Sequence, residues 1–332
     1  MPDNIPISPS DLTEGGPCPD LSVIIVSWNV REDLLRCLDA LLSNPVSSGL
    51  RLQVIVVDNA STDGTVESIR DLPVTIIENA ANVGYGRANN MGLRAAEGRY
   101  LLVLNPDTVP QPASLSNLIR FADARPAAGI VAPRLLNPDG TVQAGAFAFP
   151  TLAMAAIDLF PLPKIVPGRL RVRLQQSGLN GRYPGEARRT KPFKIDHPLG
   201  ACLLIRREAY EQCGGFDEQL FMYSEEIDLA LHYAQVGWEC WQVPQARVVH
   251  LGGQSTRQMP EAMFVELWRS RLYLYAKNYG LFSRLALTLL LTVAMLRDMV
   301  TSLMRGLFRT EDETSMKRRK RAQVVLRMLF NK

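Results

Sequence analysis

Apolar residues in the first part of the chain occur in short runs that alternate with segments of helical period. Residues 21–28 and 52–57 are mostly aliphatic runs of the length typical of buried strands. Between them, residues 31–42 carry apolar side chains at the three- and four-residue spacing of a helix. The same reasoning predicts strands at 74–77 and 100–104 and helices at 87–96 and 113–122.

This alternation predicts the fold class. Strands that alternate with helices form a mostly parallel, doubly wound α/β sheet with helices on both faces. Ligands of such sheets bind beyond the carboxyl ends of the strands. Polar loops at residues 58–63 and 105–108 follow two of the predicted strands. We therefore expect both loops to face one crevice.

The pattern is interrupted between about residues 150 and 195, where prolines, glycines and arginines are frequent. We interpret this interval as an irregular, partly mobile excursion. A buried strand is predicted at 200–205 and a helix at 225–236. The chain thus divides into a flexible N-terminal tail (1–20), one α/β domain (21–260) and a helical C-terminal region (261–332).

Charge and cysteine content narrow the class of protein. A net charge of +4 over 332 residues is too small to indicate nucleic-acid binding, and a run at 317–321 supplies much of the basic excess. The five cysteines include no CxxC pair, which favours a reducing compartment over a disulfide framework or a zinc knuckle. Residues 1–20 lack the basic start and apolar core of a signal peptide, so we expect a cytoplasmic protein.

Two acidic positions follow predicted strands. Asp58 ends the second strand, where a carboxylate can accept a hydrogen bond from a base or ribose, or can equally well cap a turn. Asp107 follows Asn105 and Pro106. A carboxylate there can bind Mg²⁺ or Mn²⁺ together with substrate phosphates, although Asn-Pro-Asp is also common turn chemistry.

A third acidic group begins the predicted helix at 225–236. The positive end of the helix dipole explains one or two of Glu225, Glu226 and Asp228, but three acids in four residues also suggest a general base. His250 ends an apolar run just before two glycines. A single histidine after a strand is more often structural than a ligand, while Gly-Gly allows backbone N–H groups to approach phosphate.

The order and spacing of these segments resemble family 2 glycosyltransferases of the GT-A fold. More narrowly, they resemble the bacterial rhamnosyltransferase-like branch, which works on polyprenyl-linked or surface glycans. The resemblance covers about residues 21–257. The segments that carry it are SVIIVSWN at 22–29, VVDNASTDG at 56–64, NVGYGRANN at 82–90, LNPD at 104–107, GGFDE at 214–218 and YSEEIDL at 223–229.

The resemblance implies a role for individual residues. Asp58 would contact the nucleobase. Other side chains would line the nucleotide site, namely Ser27, Asn29, Arg87, Asn90 and Asn105. Asp107 matches the last acid of the family's DxD metal motif, and His250 matches a histidine that completes the metal shell. Glu226 matches the catalytic base, with Glu225 as the alternative, and Asp228 matches an acid that supports the start of that helix.

The implied activity is transfer of a sugar from a dTDP- or UDP-sugar to a hydroxyl of a glycan or polyprenyl-linked acceptor, with inversion and a divalent metal (Mg²⁺ or Mn²⁺). Rhamnose is the leading donor sugar, and the irregular interval would lie on the acceptor side. Three positions depart from the family pattern. Asn105 replaces the first Asp of DxD, Glu226 replaces the usual Asp, and His197-Pro198 replaces a common Trp-Val.

Two other functions fit less well. A sugar-phosphate nucleotidyltransferase should carry a Gly-rich basic loop after its first strand, and residues 27–30 have none. A catalytically degenerate domain kept as a membrane-associated assembly partner is supported by the substitutions at Asn105 and Glu226 alone.

The C-terminal region predicts a helix over residues 273–308. Its longest uncharged stretch, 285–296, is about 18 Å long, which is too short for a bilayer core of about 30 Å. Its charged residues share one side, namely Arg284, Arg297, Asp298, Arg305 and Arg309. We predict a helix in the membrane interface, with the basic run at 317–321 attracted to anionic lipid on the inner face of the cell membrane. The alternative is a helix packed on the domain or on a partner.

Overall fold

The computed structural model describes residues 18–42, 49–160, 167–175, 178–252, 260–308 and 313–330. The predicted flexible tail lies almost entirely outside these residues. A nine-stranded sheet forms the centre of the fold, with a two-stranded ribbon beside it. Two hydrophobic clusters cover the two faces of the large sheet.

The strands are β1 (Leu21–Ser27), β2 (Leu52–Asp58), β3 (Thr75–Glu78), β4 (Tyr100–Leu104), β5 (Thr108–Pro110), β6 (Ala128–Leu136), β7 (Ala146–Phe147), β8 (Phe193–Ile195), β9 (His197–Pro198), β10 (Cys202–Arg206) and β11 (Glu239–His250). The helices are α1 (Arg31–Leu42), α2 (Thr65–Ile69), α3 (Tyr85–Ala95), α4 (Ser114–Asp123), α5 (Leu152–Leu159), α6 (Gly168–Gln175), α7 (Arg207–Cys213), α8 (Glu225–Gln235), α9 (Pro260–Phe308) and α10 (Glu313–Phe330).

The N-terminal half of the sheet is parallel, as predicted. Strand β1 lies between β2 and β4 and pairs in parallel with both. Its side chains alternate between the faces, so that Val23 and Ile25 pack in the cluster that contains Leu38 of α1. Ile24 and Val26 pack on the other face, in the cluster that contains Leu93 of α3. Both faces are therefore buried, which is why these strands are aliphatic throughout.

The second half of the sheet is mixed. Strand β10 runs antiparallel between β4 and β6, whereas β11 runs parallel to β6. Strand β11 also pairs antiparallel with β5, in a register that places His250 opposite Thr108. This pairing brings the end of β11 beside the loop that contains Asp107.

The interval predicted to be irregular contains regular structure. Thr151 caps the N-terminus of helix α5. Its hydroxyl accepts a hydrogen bond from the backbone N–H of Met154 at 3.2 Å. Helix α6 and two 3₁₀ turns, Gly178–Asn180 and Glu186–Arg188, follow it. The prediction of an irregular excursion was therefore wrong for the described part, because local capping and turn formation satisfy the backbone there.

The C-terminal region is helical, but α9 starts earlier than predicted and is broken. At Gly280 the backbone adopts φ 80° and ψ 175°, which ends a first arm (260–279) and starts a second arm (281–308). Both arms pack with α5 and α10 around a third cluster that includes Trp268, Leu287 and Leu291.

The second arm packs against the protein on one side. There Arg297 pairs with Asp298 and lies 5.0 Å from the ring of Phe160. The side that faces outward is apolar, and its residues recur at three- to four-residue intervals. It comprises Leu281, Phe282, Leu285, Leu289, Val293, Leu296 and Val300, and we call it the apolar face.

Helix α9 is also long and apolar enough, by length and composition, to cross a membrane between Pro260 and Met304. The prediction that it is too short considered only the uncharged stretch 285–296 and was too strict, since a spanning helix tolerates a few charges. The side chains of Leu287, Leu291 and Ala294 are nevertheless buried against the protein. This packing leaves one side of the arm available to a membrane.

Replacing Gly92 should destabilise the α3–sheet contact. A Cβ added there would lie 2.4 Å from Cγ2 of Ile24, in the packed core. We expect Gly92→Ala to lower the free energy of unfolding by about 1–3 kcal/mol despite the better helix propensity of alanine. Urea denaturation measures this change. Gly178→Ala, where an added Cβ meets no atom within 4 Å, is the control and should be neutral.

Candidate active site

A cavity opens at the carboxyl ends of β1, β2 and β4, where the sequence predicted a crevice. It encloses about 1030 Å³ including its open mouth. Its walls come from seven parts of the chain that are separate in sequence. They include Val26, Trp28, Asn59, Asn82, Tyr85, Asn105, Asp107, Gly200, Tyr223, Glu225, Glu226 and His250. The metal, base and nucleotide segments predicted separately therefore meet at one place.

Asp107 and His250 form a buried pair in this cavity. The Nε2 atom of His250 lies 3.5 Å from Oδ1 of Asp107, and both side chains are less than a tenth exposed. The other ring nitrogen, Nδ1, lies 2.7 Å from Oε1 of Gln143. Because an amide oxygen accepts hydrogen bonds, this contact assigns the proton to Nδ1 and leaves the Nε2 lone pair facing the carboxylate.

This arrangement fits a divalent cation. Two lone-pair donors that face each other at 3.5 Å repel unless a cation or a proton lies between them. A histidine that binds a metal usually donates its second N–H to an oxygen, as His250 does to Gln143. Among the described residues no group of three or more His, Cys, Asp or Glu side chains could hold a metal. Any ion here would therefore need further ligands, and Mg²⁺ typically takes them from substrate phosphates and water.

Glu225 and Glu226 line the same cavity, at the start of α8. The preceding residues Tyr223 and Ser224 both have φ 70°, a conformation that costs energy for any residue except glycine. Burial and the neighbouring Glu226 raise the pKa of Glu225 well above its usual value, and one oxygen of Glu225 has no hydrogen-bond partner among the described residues. Burial raises the pKa of Glu226 to about 7. The pair therefore keeps a proton up to a higher pH than an ordinary pair of glutamates does.

Asp228 does not line the cavity. Its carboxylate lies 2.7 Å from Nζ of Lys277 and accepts a hydrogen bond from Asn278 at 2.9 Å. Lys277 also contacts Asp217 at 2.7 Å. The first arm of α9 is thus bonded to Asp217, which precedes Glu225 in the chain, and to Asp228, which follows it. Asp228 therefore anchors the start of the helix that carries Glu225 and Glu226, and it does not line the cavity.

The proposed nucleotide-site residues at the ends of β1 and β2 lie next to the cavity. Ser27 pairs in register with Asp58, and both are buried. Ser27 Oγ and Asp58 Oδ1 lack hydrogen-bond partners within the described part of the chain. Asn29 lines a neighbouring shallow groove, and its Oδ1 accepts a hydrogen bond from the backbone N–H of Thr62 at 2.8 Å. The unpartnered oxygens of Ser27 and Asp58 make these strand ends suitable for a polar ligand.

Three further residues of the predicted nucleotide set have different surroundings. Asn105 lines the cavity and accepts a hydrogen bond from the Tyr85 hydroxyl at 2.9 Å. Arg87 is exposed and lies 3.6 Å from Glu218, and Asn90 bonds the backbone of Phe216. Neither Arg87 nor Asn90 lines the cavity. The side chain of Tyr85 points into it, and residues two and five positions further along the helix point in other directions.

Several contacts at the site were not expected from the sequence. Gln143 lies 107 residues from His250 in the chain, in a loop with no distinguishing pattern. Lys277 lies in the C-terminal region, which the sequence linked only to membranes. Asn59 lines the cavity and bonds Asn82 and Asn79 through its amide, and it belongs to the recognised segment 56–64. Only Asn59 carried a sequence signal.

Comparison with known proteins gives a consistent result. Residues 22–214 match the family model described as glycosyl transferase family 2. The chain is 31% identical over 260 residues to the N-acetylglucosaminyl-diphospho-decaprenol L-rhamnosyltransferase of Mycobacterium tuberculosis, covering 72% of this chain and 78% of that protein. It is 29% identical over 213 residues to a low-salt glycan biosynthesis hexosyltransferase, Agl10, of Haloferax volcanii, covering 63% and 60%.

Solved structures share the fold. The mannosyltransferase PcManGT from Pyrobaculum calidifontis, solved with GDP-Man and Mn²⁺, superposes with a TM-score of 0.54 over 95% of this chain and 88% of that one, at 17% identity. GalNAc-T7, solved with UDP, GalNAc and Mn²⁺, gives 0.52 over 78% and 50%, at 18% identity. The GT-A fold predicted from the sequence is thereby confirmed.

Glu225 and Glu226 should titrate at higher pH than ordinary carboxyl groups. Carbon-13 NMR of glutamate-labelled protein should show Glu226 titrating near pH 7, because burial disfavours its charge. Glu218 is an internal control, since its hydrogen bond from Asn90 lowers its pKa below 4.5. Glu226→Gln and Glu225→Gln identify the signals. Titration of Glu226 near 4.5 would contradict the burial argument.

Proposed function

The chain belongs to glycosyl transferase family 2, and we propose that it transfers a sugar, with inversion, from a dTDP- or UDP-sugar to a hydroxyl of a polyprenyl-linked saccharide. One observation carries this proposal: Glu226 and the Asp107–His250 pair line the same cavity. A base and a diphosphate-binding site within one cavity suit direct displacement at a sugar carbon. The mycobacterial relative's name supports rhamnose as the sugar and a diphospho-polyprenyl acceptor.

Glu226 is the proposed general base. Its carboxylate removes the proton from the acceptor hydroxyl as that oxygen attacks the anomeric carbon of the donor. The bond from this carbon to the diphosphate oxygen breaks, and the nucleoside diphosphate leaves with the electron pair. A pKa of about 7 keeps a useful fraction of Glu226 ionised at neutral pH.

Asp107 and His250 are the proposed ligands of Mg²⁺ or Mn²⁺, with Gln143 holding the imidazole. Such an ion, when bound, stabilises the charge of the departing diphosphate. Ser27, Asn29, Asp58 and Asn105 would contact the nucleotide. The hydrogen bond to Gln143 holds the imidazole of His250 so that Nε2 faces Asp107, which is the geometry that a ligand pair requires.

Calorimetric titration with UDP, dTDP and GDP, with and without Mn²⁺ or Mg²⁺, tests this function. We expect one pyrimidine diphosphate to bind, and to need the metal. Asp107→Asn should abolish the effect of the metal on nucleotide binding. Gln143→Leu should weaken metal binding about 10- to 100-fold, because the imidazole of His250 is no longer oriented. Arg94→Gln, which changes an exposed ion pair with Glu218, is the matched control. If the folded wild-type protein binds none of the nucleotides, the proposal fails.

We also propose that the protein associates peripherally with the inner face of the cell membrane. The apolar face of the second α9 arm is outward, and Phe282 within it is 89% exposed. Lys317 and Arg318 at the start of α10 are exposed as well. Basic side chains beside an apolar helix face favour an anionic bilayer surface. The opposite side of the arm is packed on the protein, which supports a helix that lies on the membrane rather than across it.

Vesicle sedimentation tests this association. The triple variant Leu285→Gln, Leu289→Gln, Leu296→Gln should bind anionic phospholipid vesicles at least about tenfold more weakly than wild type, because it removes exposed apolar area without touching the buried side. Val236→Gln is the control, since Val236 is as exposed as Leu296, 48% in each case, but lies at the end of α8. Equal binding of the wild type and the triple variant would refute the role of this face.

A further inference from the structure

A second cavity lies directly behind the base. We call it the rear cavity; its walls include Phe147, Arg182, His197, Ile227, Arg271 and Tyr275. Glu226 lines the first cavity and the next residue, Ile227, lines the rear one. Likewise Leu199 lines the first cavity and His197 the rear one. The start of α8 and the end of β9 therefore form a thin partition, and the base stands at its edge.

The rear cavity carries a net positive charge. Arg182 is exposed and has no ion pair or side-chain hydrogen bond among the described residues. Arg271 pairs with Asp158 at 3.1 Å and lies over the ring of Trp268. Burial lowers the pKa of His197 to about 4, so this imidazole is neutral at pH 7. Two guanidinium groups and one carboxylate leave a net charge of +1, which favours an anion.

Tyr275, which lines the rear cavity, carries a buried hydroxyl. Tyr275 is 3% exposed, and its hydroxyl has no hydrogen-bond partner among the described residues. Buried hydroxyl groups are nearly always satisfied, because an unpaired one loses its contacts with water without replacement. A ligand with an acceptor oxygen in this cavity would satisfy it.

We propose that the rear cavity binds the phosphate of the acceptor, with Arg182 and Arg271 contacting the anion and the Tyr275 hydroxyl donating to it. This inference rests on the proposed function, which requires an acceptor that reaches Glu226 from the side away from the nucleotide. A diphosphate bound behind the partition places the attached sugar at the edge where the base stands. The polyprenyl chain would extend from the same cavity, which is lined on one side by apolar residues of α5 and the first arm of α9.

The test is direct binding of farnesyl diphosphate, with the nucleotide site first saturated by the best nucleotide diphosphate and metal. Farnesyl diphosphate supplies the diphosphate and a prenyl chain without requiring catalysis. We expect Arg182→Gln to weaken its binding about 10- to 100-fold, because a charge-assisted hydrogen bond is lost. Tyr275→Phe should weaken it about fivefold. Arg188→Gln is the matched control, since Arg188 is an exposed arginine of the same interval that does not line the cavity.

The outcomes are distinct. Equal affinity of the wild type and Arg182→Gln, or no binding by the wild type, overturns the assignment. Competition between farnesyl diphosphate and the nucleotide also overturns it, because the probe would then occupy the donor site. If no nucleotide binds at all, the proposed function fails, but the farnesyl diphosphate titration still decides the rear cavity. Farnesol, which lacks the phosphates, should bind the wild type and Arg182→Gln equally.

Discussion

Parallel pairing of β1 with both β2 and β4 is the constraint on which the other features of this molecule depend. Because the three strands run in the same direction and in register, their carboxyl ends lie at one edge of the sheet. That edge carries Ser27, Asp58 and the loop to Asp107. Helices on both faces bury the strands, so the edge cannot move without disrupting two hydrophobic clusters.

The part of the cavity formed by the start of α8 depends on a different kind of interaction. Glu225 is buried there beside the partly buried Glu226, after two non-glycine residues with positive φ. Burial of carboxyl groups and left-handed backbone both cost free energy, so the segment needs support from elsewhere. The first arm of α9 provides it, since Lys277 holds Asp217 and Asp228, and Ser270 bonds the carbonyl of Met222.

This support links the C-terminal helices to catalysis. The break at Gly280 separates the arm that holds the base segment from the arm that presents the apolar face. Only a few residues lie between Lys277 and Phe282, which is highly exposed. The same helix therefore anchors the base-bearing segment on one side of the break and exposes the apolar face on the other. A lipid-linked acceptor would be delivered at this junction.

The sequence by itself determined the fold class, the edge of the sheet that holds the site, and the candidates Asp107, His250, Glu225 and Glu226. These follow from local periodicity and from ordered motifs, which a linear chain displays directly. It could not distinguish the two glutamates, because their difference arises from burial. It placed Arg87 and Asn90 at the site because motif matching ignores the direction of side chains. Only the tertiary structure brought Gln143 to His250, Lys277 to Asp228, and the apolar side of the last long helix to the surface, because these contacts join segments whose separation in the chain leaves no local pattern.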